Sequence, residues 1–166
     1  MNETVKTESI KFPFTIGSTL IGVLLALLIN TWVDEKKEVS NYISMVKAIN
    51  IEANTNRNVL EQSFLPNWKY KIIMREFNLK ASNEFISNNI FIKHTSPYDL
   101  NLLTQYYLSL QRANNMRDRD EKFKYDTLAN ASWLQQWRKA FPDILDQCKN
   151  SISNVISFSD SARSKH

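Results

Sequence analysis

Glycine is nearly absent from this chain. The 166 residues contain two glycines, Gly17 and Gly22, and none follows Gly22. Rossmann loops, P-loops and glycine-turn hairpins need backbone conformations that only glycine adopts at low cost. Their absence excludes these nucleotide-binding and β-hairpin designs, so the sequence predicts an all-α fold.

Cysteine and histidine are equally scarce. Cys148 is the single cysteine, which excludes a disulfide framework and a cysteine-based zinc site and fits a reducing compartment. We expect Cys148 to lie in the core, on the apolar stripe of its helix. His94 and the terminal His166 cannot build an HExxH or a Ser-His-Asp arrangement. We therefore expect no metal, no cofactor and no catalytic residues.

Charge and length set broad limits. The chain is 43% hydrophobic and 23% charged, and its 21 Lys+Arg against 17 Asp+Glu give a net charge of +4. This excess is compatible with an anionic membrane surface or a phosphate ligand as partner. The length fits one anchored domain rather than a multi-domain enzyme.

A long uncharged run lies near the N-terminus. Residues 12–33 read FPFTIGSTLIGVLLALLINTWV and contain no charge. As a helix they would be about 33 Å long, against a hydrocarbon core of roughly 30 Å. A buried soluble helix would need a larger core than the polar remainder supplies. A cleaved signal peptide would need small residues near its end, and this run ends in LLINTWV, which has none. We therefore expect an uncleaved transmembrane helix after an N-terminal tail, residues 1–11.

The flanks and the spacing within this run suggest its orientation and packing. More basic residues follow the run than precede it, which favours a cytoplasmic C-terminal domain in a bacterial inner membrane: Lys36, Lys37 and Lys47 against Lys6 and Lys11. Small residues and one amide recur every fourth position, at Ser18, Gly22, Ala26 and Asn30. This row favours close helix packing between copies, although small residues are also common in membrane helices generally.

The anchor is predicted to continue without a break into an amphipathic stalk helix, residues 34–65. Neither Gly nor Pro interrupts it, and apolar residues recur at near-heptad spacing with Asn56 in the one polar slot: Val39, Tyr42, Val46, Ile49, Ala53 and Leu60. Two interpretations stay open. The stripe could be a coiled-coil seam between copies, with Asn56 fixing the register. It could instead pack on its own domain, which is slightly favoured for so short a run.

Residues 66–158 are predicted to form a helical soluble domain. We expect a helix from Pro66 and a loop over residues 82–94, with a possible short strand at 90–92. Ser96, Pro97 and Asp99 are typical of a helix start. Further helices are expected to carry Trp133, Trp137 and Phe141, and to begin at Pro142, before a frayed tail over residues 159–166.

One polar stripe suggests ligand binding. If residues 111–124 are helical, Arg112, Asn115, Arg119 and Lys122 lie within about 80° of one another. Two guanidinium groups, an amide and an ammonium suit phosphate and base recognition. The alternative is an exposed helix stabilised by i,i+4 ion pairs, namely Asp118–Lys122, Arg117–Glu121 and Asp120–Lys124.

The first part of the chain supports a family resemblance. The run GVLLALLINTW, followed by DEKKEVSNYISMVKAINIEANTN, looks like a widespread type of small one-span bacterial membrane protein, with similarity limited to residues 22–56. The overall plan also resembles small membrane effectors that accompany CRISPR systems. One kind has a cytosolic helical domain that binds cyclic tetra-adenylate as an oligomer. Another, usually HEPN-like, forms a ring-shaped pore. The Arg-x4-6-His motif of HEPN ribonucleases is absent.

The resemblance and the residues together imply a function. We expect an oligomeric membrane effector of antiviral defence that senses a cyclic oligonucleotide, with the lipid bilayer and further copies as partners and no double-stranded DNA. Two alternatives belong to other classes. One is a structural or adaptor protein that anchors a cytosolic partner, and the other is a membrane-bound nuclease that uses His94.

Overall fold

The computed structural model describes the backbone of residues 3–63, 75–123 and 130–164, and the side chains of 19–62, 75–119, 136 and 139–164. All secondary structure in these ranges is α-helical, which confirms the predicted all-α class. The helices are α1 (Glu3–Ser63), α2 (Lys80–Ile86), α3 (Asn89–His94), α4 (Pro97–Phe123) and α5 (Asn130–Ser164).

The chain divides into two compact units, Met1–Ser40 and Asn41–His166, and the boundary falls within α1. In the first unit, nine large apolar side chains are 53–67% exposed: Leu20, Ile21, Val23, Leu24, Leu25, Leu27, Leu28, Ile29 and Trp32. Residues 12–18 of the predicted span lie outside the described side chains. Over the part that is described, no helix reaches the combined length and apolarity needed to cross a bilayer. The membrane crossing therefore stays a prediction.

The second unit has one apolar core built from α1, α3, α4 and α5, together with Phe77. The stripe predicted on α1 is buried here, including Tyr42, Val46 and Ile49. The Tyr42 and Phe91 rings lie 5.6 Å apart, which joins α1 to α3. This confirms the interpretation that the stripe packs on its own domain. The coiled-coil alternative is wrong for these positions, because they are already covered within one chain.

Residues 82–94 differ from the prediction. They form α2 and α3 instead of a loop with a strand at residues 90–92. Asn88 caps α3, since its side chain accepts hydrogen bonds from the backbone amides of Ile90 and Phe91 at 3.0 and 3.2 Å. Asparagine is common both at helix N-caps and in loops, and the burial of Phe91 favours the helix here.

The start of α4 agrees with the prediction. The Ser96 hydroxyl accepts a hydrogen bond from the Asp99 amide at 3.1 Å and donates one to the Asp99 carboxylate at 2.6 Å. This reciprocal pair satisfies an amide that has no partner within the helix.

The end of the chain differs from the prediction in two places. Pro142 lies inside α5 and does not start a helix. The tail expected to fray from residue 159 is helical to Ser164, and Phe158 and Ser159 are buried. The helix predicted at Pro66 and the side chains of Trp133 and Trp137 lie outside the described residues.

Candidate functional site

An open cleft of about 900 Å³ lies between α4 and α5. We call it the α4–α5 cleft. Its floor is partly apolar, and most of its polar lining consists of neutral amides and two arginines. The lining residues are Gln105, Leu108, Ser109, Gln111, Arg112, Asn115, Met116, Arg119, Gln136, Ala140, Asp143, Ile144 and Gln147.

Three of the four residues of the predicted polar stripe line this cleft. Arg112, Asn115 and Arg119 are all exposed, and none of them makes a hydrogen bond or ion pair with another residue in the described ranges. The side chain of Lys122 lies outside the described residues. Two guanidinium groups thus lie exposed in a concave site with no ion-pair partner among the described residues, an arrangement suited to an external anion.

Arg117 on the same helix shows the opposite behaviour. Its guanidinium lies 2.7 Å from Asp118 and 3.4 Å from Glu76, and its side chain is only 17% exposed. Burial alone would lower the pKa of Arg117, but the hydrogen bond and charge of Asp118, together with Glu76, raise it above the ordinary value. Arg117 is therefore a structural cation, which ties α4 to the segment before α2.

That segment, residues 75–79, is held by two asparagines. Asn56 of α1 donates to the Asn78 carbonyl at 2.7 Å and accepts from the Asn78 amide at 2.8 Å. Asn114 of α4 donates to the Phe77 carbonyl and accepts from the Phe77 amide, both at 2.9 Å. Each side-chain amide thus replaces a missing backbone partner for a non-helical stretch. Asn56, predicted as a possible register device between copies, acts within one chain.

A buried carboxylate completes this polar network. Glu52 is 3% exposed, and its Oε2 accepts from the Ala81 amide at 2.6 Å, with the Ser82 amide at 3.3 Å from Oε1. It therefore neutralises the N-terminus of α2. Burial raises the pKa of Glu52, although these hydrogen bonds partly offset the effect. Tyr106 is fully buried beside it, and burial and the Glu52 charge raise the pKa of Tyr106.

The other candidate residues occupy structural positions. His94 ends α3, and its ring lies 5.5 Å from the Tyr42 ring. Cys148 is fully buried, as predicted, with its thiol 3.5 Å from the Ser109 carbonyl, and burial raises the pKa of this thiol to about 12. No group of three or more His, Cys, Asp or Glu side chains among the described residues could hold a metal ion.

The predicted packing row lies in the first unit. Gly22, Ala26 and Asn30 are exposed, and the side chain of Ser18 lies outside the described residues. A Cβ added at Gly22 would meet no atom within 4 Å. The row is therefore unoccupied within one chain at Gly22, which leaves room for another helix.

The second wall of the cleft is not among the residues predicted from the sequence. Gln136, Asp143 and Gln147 of α5 line it, together with Ala140. Their spacing of four, three and four residues places them on one helix face, which was a readable signal. Their juxtaposition with Arg112 depends on how α4 and α5 pack, and no local pattern encodes that packing.

No protein family, curated protein or solved structure was found to match this chain.

Proposed function

We propose that this chain is an oligomeric, membrane-anchored sensor that binds a small, multiply charged nucleotide in the α4–α5 cleft. The observation that carries the proposal is the pair Arg112 and Arg119, which are exposed in a concave site and make no ion pair with another described residue. In the antiviral setting that the resemblance implies, the ligand is a cyclic oligonucleotide such as cyclic tetra-adenylate, and the response is a perturbation of the bilayer.

The composition of the cleft supports a nucleotide over a simple anion. Arginine pairs with phosphate oxygens in a bidentate manner, and each charge-assisted hydrogen bond is worth about 1.5–3 kcal/mol. Amide side chains both donate and accept, as the edges of nucleobases require. The described lining contains five such amides: Gln105, Gln111, Asn115, Gln136 and Gln147.

The exposed apolar side chains of residues 20–32 support a membrane anchor. Large contiguous apolar surfaces are uncommon on soluble monomers, because their exposure to water costs about 25 cal/mol per Å². At the end of this run the Lys36 ammonium lies 4.1 Å from the centre of the Trp32 ring. Tryptophan and lysine side by side are typical of a membrane–water interface. A single span over residues 12–33 with a cytoplasmic C-terminal domain accounts for these features.

A signalling role requires that the ligand distinguish two states. A nucleotide can shift an equilibrium only by its difference in affinity for the active and resting conformations. A ligand held between α4 and α5 would favour the conformation in which both helices present their polar side chains to it. In an oligomer the same preference would act in every subunit.

Titration of the full-length protein in detergent tests the proposed ligand. The probes are cyclic tetra-adenylate, cyclic di-AMP and cyclic di-GMP. We expect wild type to bind at least one of these nucleotides. Arg112→Ala and Arg119→Ala should each weaken that binding roughly 10-fold to 100-fold. Arg75→Ala, an exposed arginine outside the cleft, is the matched control and should bind normally.

The results of this titration test the location of the binding site separately from the sensor function. Binding that survives both cleft substitutions would place the ligand elsewhere. If wild type binds none of the three probes, the sensor proposal fails, and the adaptor alternative, in which the helical domain anchors a cytosolic partner, takes its place.

Assembly has its own test at Gly22. Since a Cβ there meets nothing within one chain, Gly22→Ile should leave the subunit intact and weaken only contacts between copies. Leu24→Phe, which adds bulk on the opposite side of the helix, is the control. Native mass measurement in detergent should show a discrete oligomer that Gly22→Ile dissociates. A wild type that is monomeric at all concentrations would refute the oligomer.

A further inference from the structure

One side chain in the α4–α5 cleft carries a charge opposite to that of Arg112 and Arg119. Asp143 of α5 is the single acid among the cleft's described lining residues, and it is exposed. It makes no hydrogen bond or ion pair with another described residue, so it does not neutralise Arg112 or Arg119 directly. A site for a bare polyphosphate gains nothing from a carboxylate in its wall.

The chemistry of a carboxylate narrows what could lie against it. An ionised carboxylate accepts hydrogen bonds and donates none, and it repels phosphate oxygens. A ligand that satisfies Asp143 must therefore present an N–H or O–H group at the α5 wall while its phosphates lie near the arginines of α4. Gln136 and Gln147, on the same face of α5, add groups that can both donate and accept.

We propose that Asp143 is a specificity-determining residue that accepts a hydrogen bond from the exocyclic amino group of a nucleobase, while Arg112 and Arg119 hold the phosphates. Adenine, guanine and cytosine carry such a group, and it is a good donor to Asp and Glu side chains. This inference rests on the proposed nucleotide-binding function. It adds that the cleft selects an amino-bearing base and rejects a polyanion without a base.

The test compares two kinds of probe on the same variants of the full-length protein. One kind comprises the three cyclic purine nucleotides named above, and the other is tripolyphosphate, which has the charge but no base. For the nucleotide that wild type binds, Asp143→Ala should weaken binding about 10-fold, because a charge-assisted hydrogen bond is lost. The same substitution should tighten tripolyphosphate binding, roughly 3-fold, because a repelling charge is removed.

Asp146→Ala is the matched control. Asp146 is an exposed acid of the same helix, three residues further on, and does not line the cleft. Asp146→Ala removes the same net charge as Asp143→Ala, so a long-range electrostatic effect on binding would appear in both variants. We expect Asp146→Ala to leave both probes within 2-fold of wild type.

Opposite shifts for the two probes in Asp143→Ala alone would establish the base contact. If Asp143→Ala tightens or leaves unchanged the binding of both probes, the base contact is wrong while the sensor function stands. If wild type binds tripolyphosphate and none of the nucleotides, the cleft is a polyanion site and the inference is overturned. If wild type binds no probe, the proposed function fails and the inference fails with it.

Discussion

Two adjacent residues on α4 show how differently this helix uses its two sides. Asn114 is half-buried and makes two hydrogen bonds of 2.9 Å with the backbone of Phe77. Asn115 is exposed in the α4–α5 cleft and has no partner among the described residues. The residue type is the same, so the difference lies in the surroundings.

The same contrast extends along both sides of the helix. Toward residues 75–82, three polar side chains have partners: Asn56 and Asn114 hold the non-helical segment, and Glu52 caps α2. Toward α5, Arg112 and Arg119 have no partner among the residues whose side chains the structure describes. Paired groups hold a fold together, whereas convergent groups without internal partners are available to a ligand. The first side therefore predicts stability effects, and the second predicts binding effects.

The largest stability effect is expected at Asn56. Asn56→Ala removes the hydrogen bonds to the Asn78 backbone and to the Tyr106 hydroxyl, the latter at 2.7 Å. Because the buried Tyr106 hydroxyl and the partly buried Asn78 backbone groups lose this partner together, the free energy of unfolding should fall by about 3 kcal/mol. This loss is measured by urea unfolding, monitored by circular dichroism. Asn58→Ala, an exposed asparagine two residues further along α1, should change little. Equal losses in the two variants would contradict the assigned role of Asn56.

A smaller effect, dependent on pH, is expected at Glu52. Since burial raises the pKa of Glu52 in the folded state, the native protein takes up this proton at a higher pH than the unfolded chain does. The contribution of Glu52 to stability therefore increases as the pH falls through the folded pKa toward the ordinary value of 4.5. The slope for one group cannot exceed about 1.4 kcal/mol per pH unit.

Glu52→Gln provides the reference, because an amide does not titrate. The difference in unfolding free energy between wild type and Glu52→Gln should shift in favour of wild type on acidification from pH 7. A flat difference would show that hydrogen bonding cancels the effect of burial on the pKa of Glu52, and a shift toward the variant would show that it outweighs burial. Either result would contradict the prediction.

The helix cap at Ser96 should give an effect of about 1 kcal/mol. Ser96→Ala removes the hydroxyl that bonds the Asp99 amide and carboxylate, and caps of this kind typically contribute that much. Ser96→Thr keeps a capping hydroxyl and should recover most of the loss in the same urea experiment. A loss that Thr does not recover would point to packing at this position rather than capping.

Sequence patterns predicted the parts of this fold that depend on local chemistry. The scarcity of glycine indicated helices, the Ser96–Asp99 pair indicated the start of α4, and the buried face of residues 42–60 was identified correctly. The sequence does not show what covers that face, because a near-heptad stripe has the same pattern whether its partner is another copy or the same chain. The Tyr42–Phe91 contact answers this, and it joins residues 49 positions apart.

Long-range packing also explains the other differences. The asparagine-rich residues 82–94 suggest a loop from sequence alone, but Asn88 caps α3, and Phe91 is buried against α1. In the candidate site, Arg112, Asn115 and Arg119 could be found from the spacing on one helix. Asp143 could not, since its relevance depends on α5 lying beside α4.

The most direct test of this contrast is to substitute the two adjacent asparagines and measure both properties of each variant. The full-length Asn114→Ala and Asn115→Ala proteins are compared by urea unfolding and by titration with whichever of the three cyclic nucleotides wild type binds. We predict that Asn114→Ala lowers the free energy of unfolding by about 2 kcal/mol and changes the Kd less than 2-fold. Asn115→Ala should weaken binding roughly 5-fold to 10-fold and change stability by less than about 0.5 kcal/mol. If Asn115→Ala destabilises the protein as Asn114→Ala does, or leaves the Kd unchanged, the division of α4 into a structural side and a ligand-binding side is contradicted.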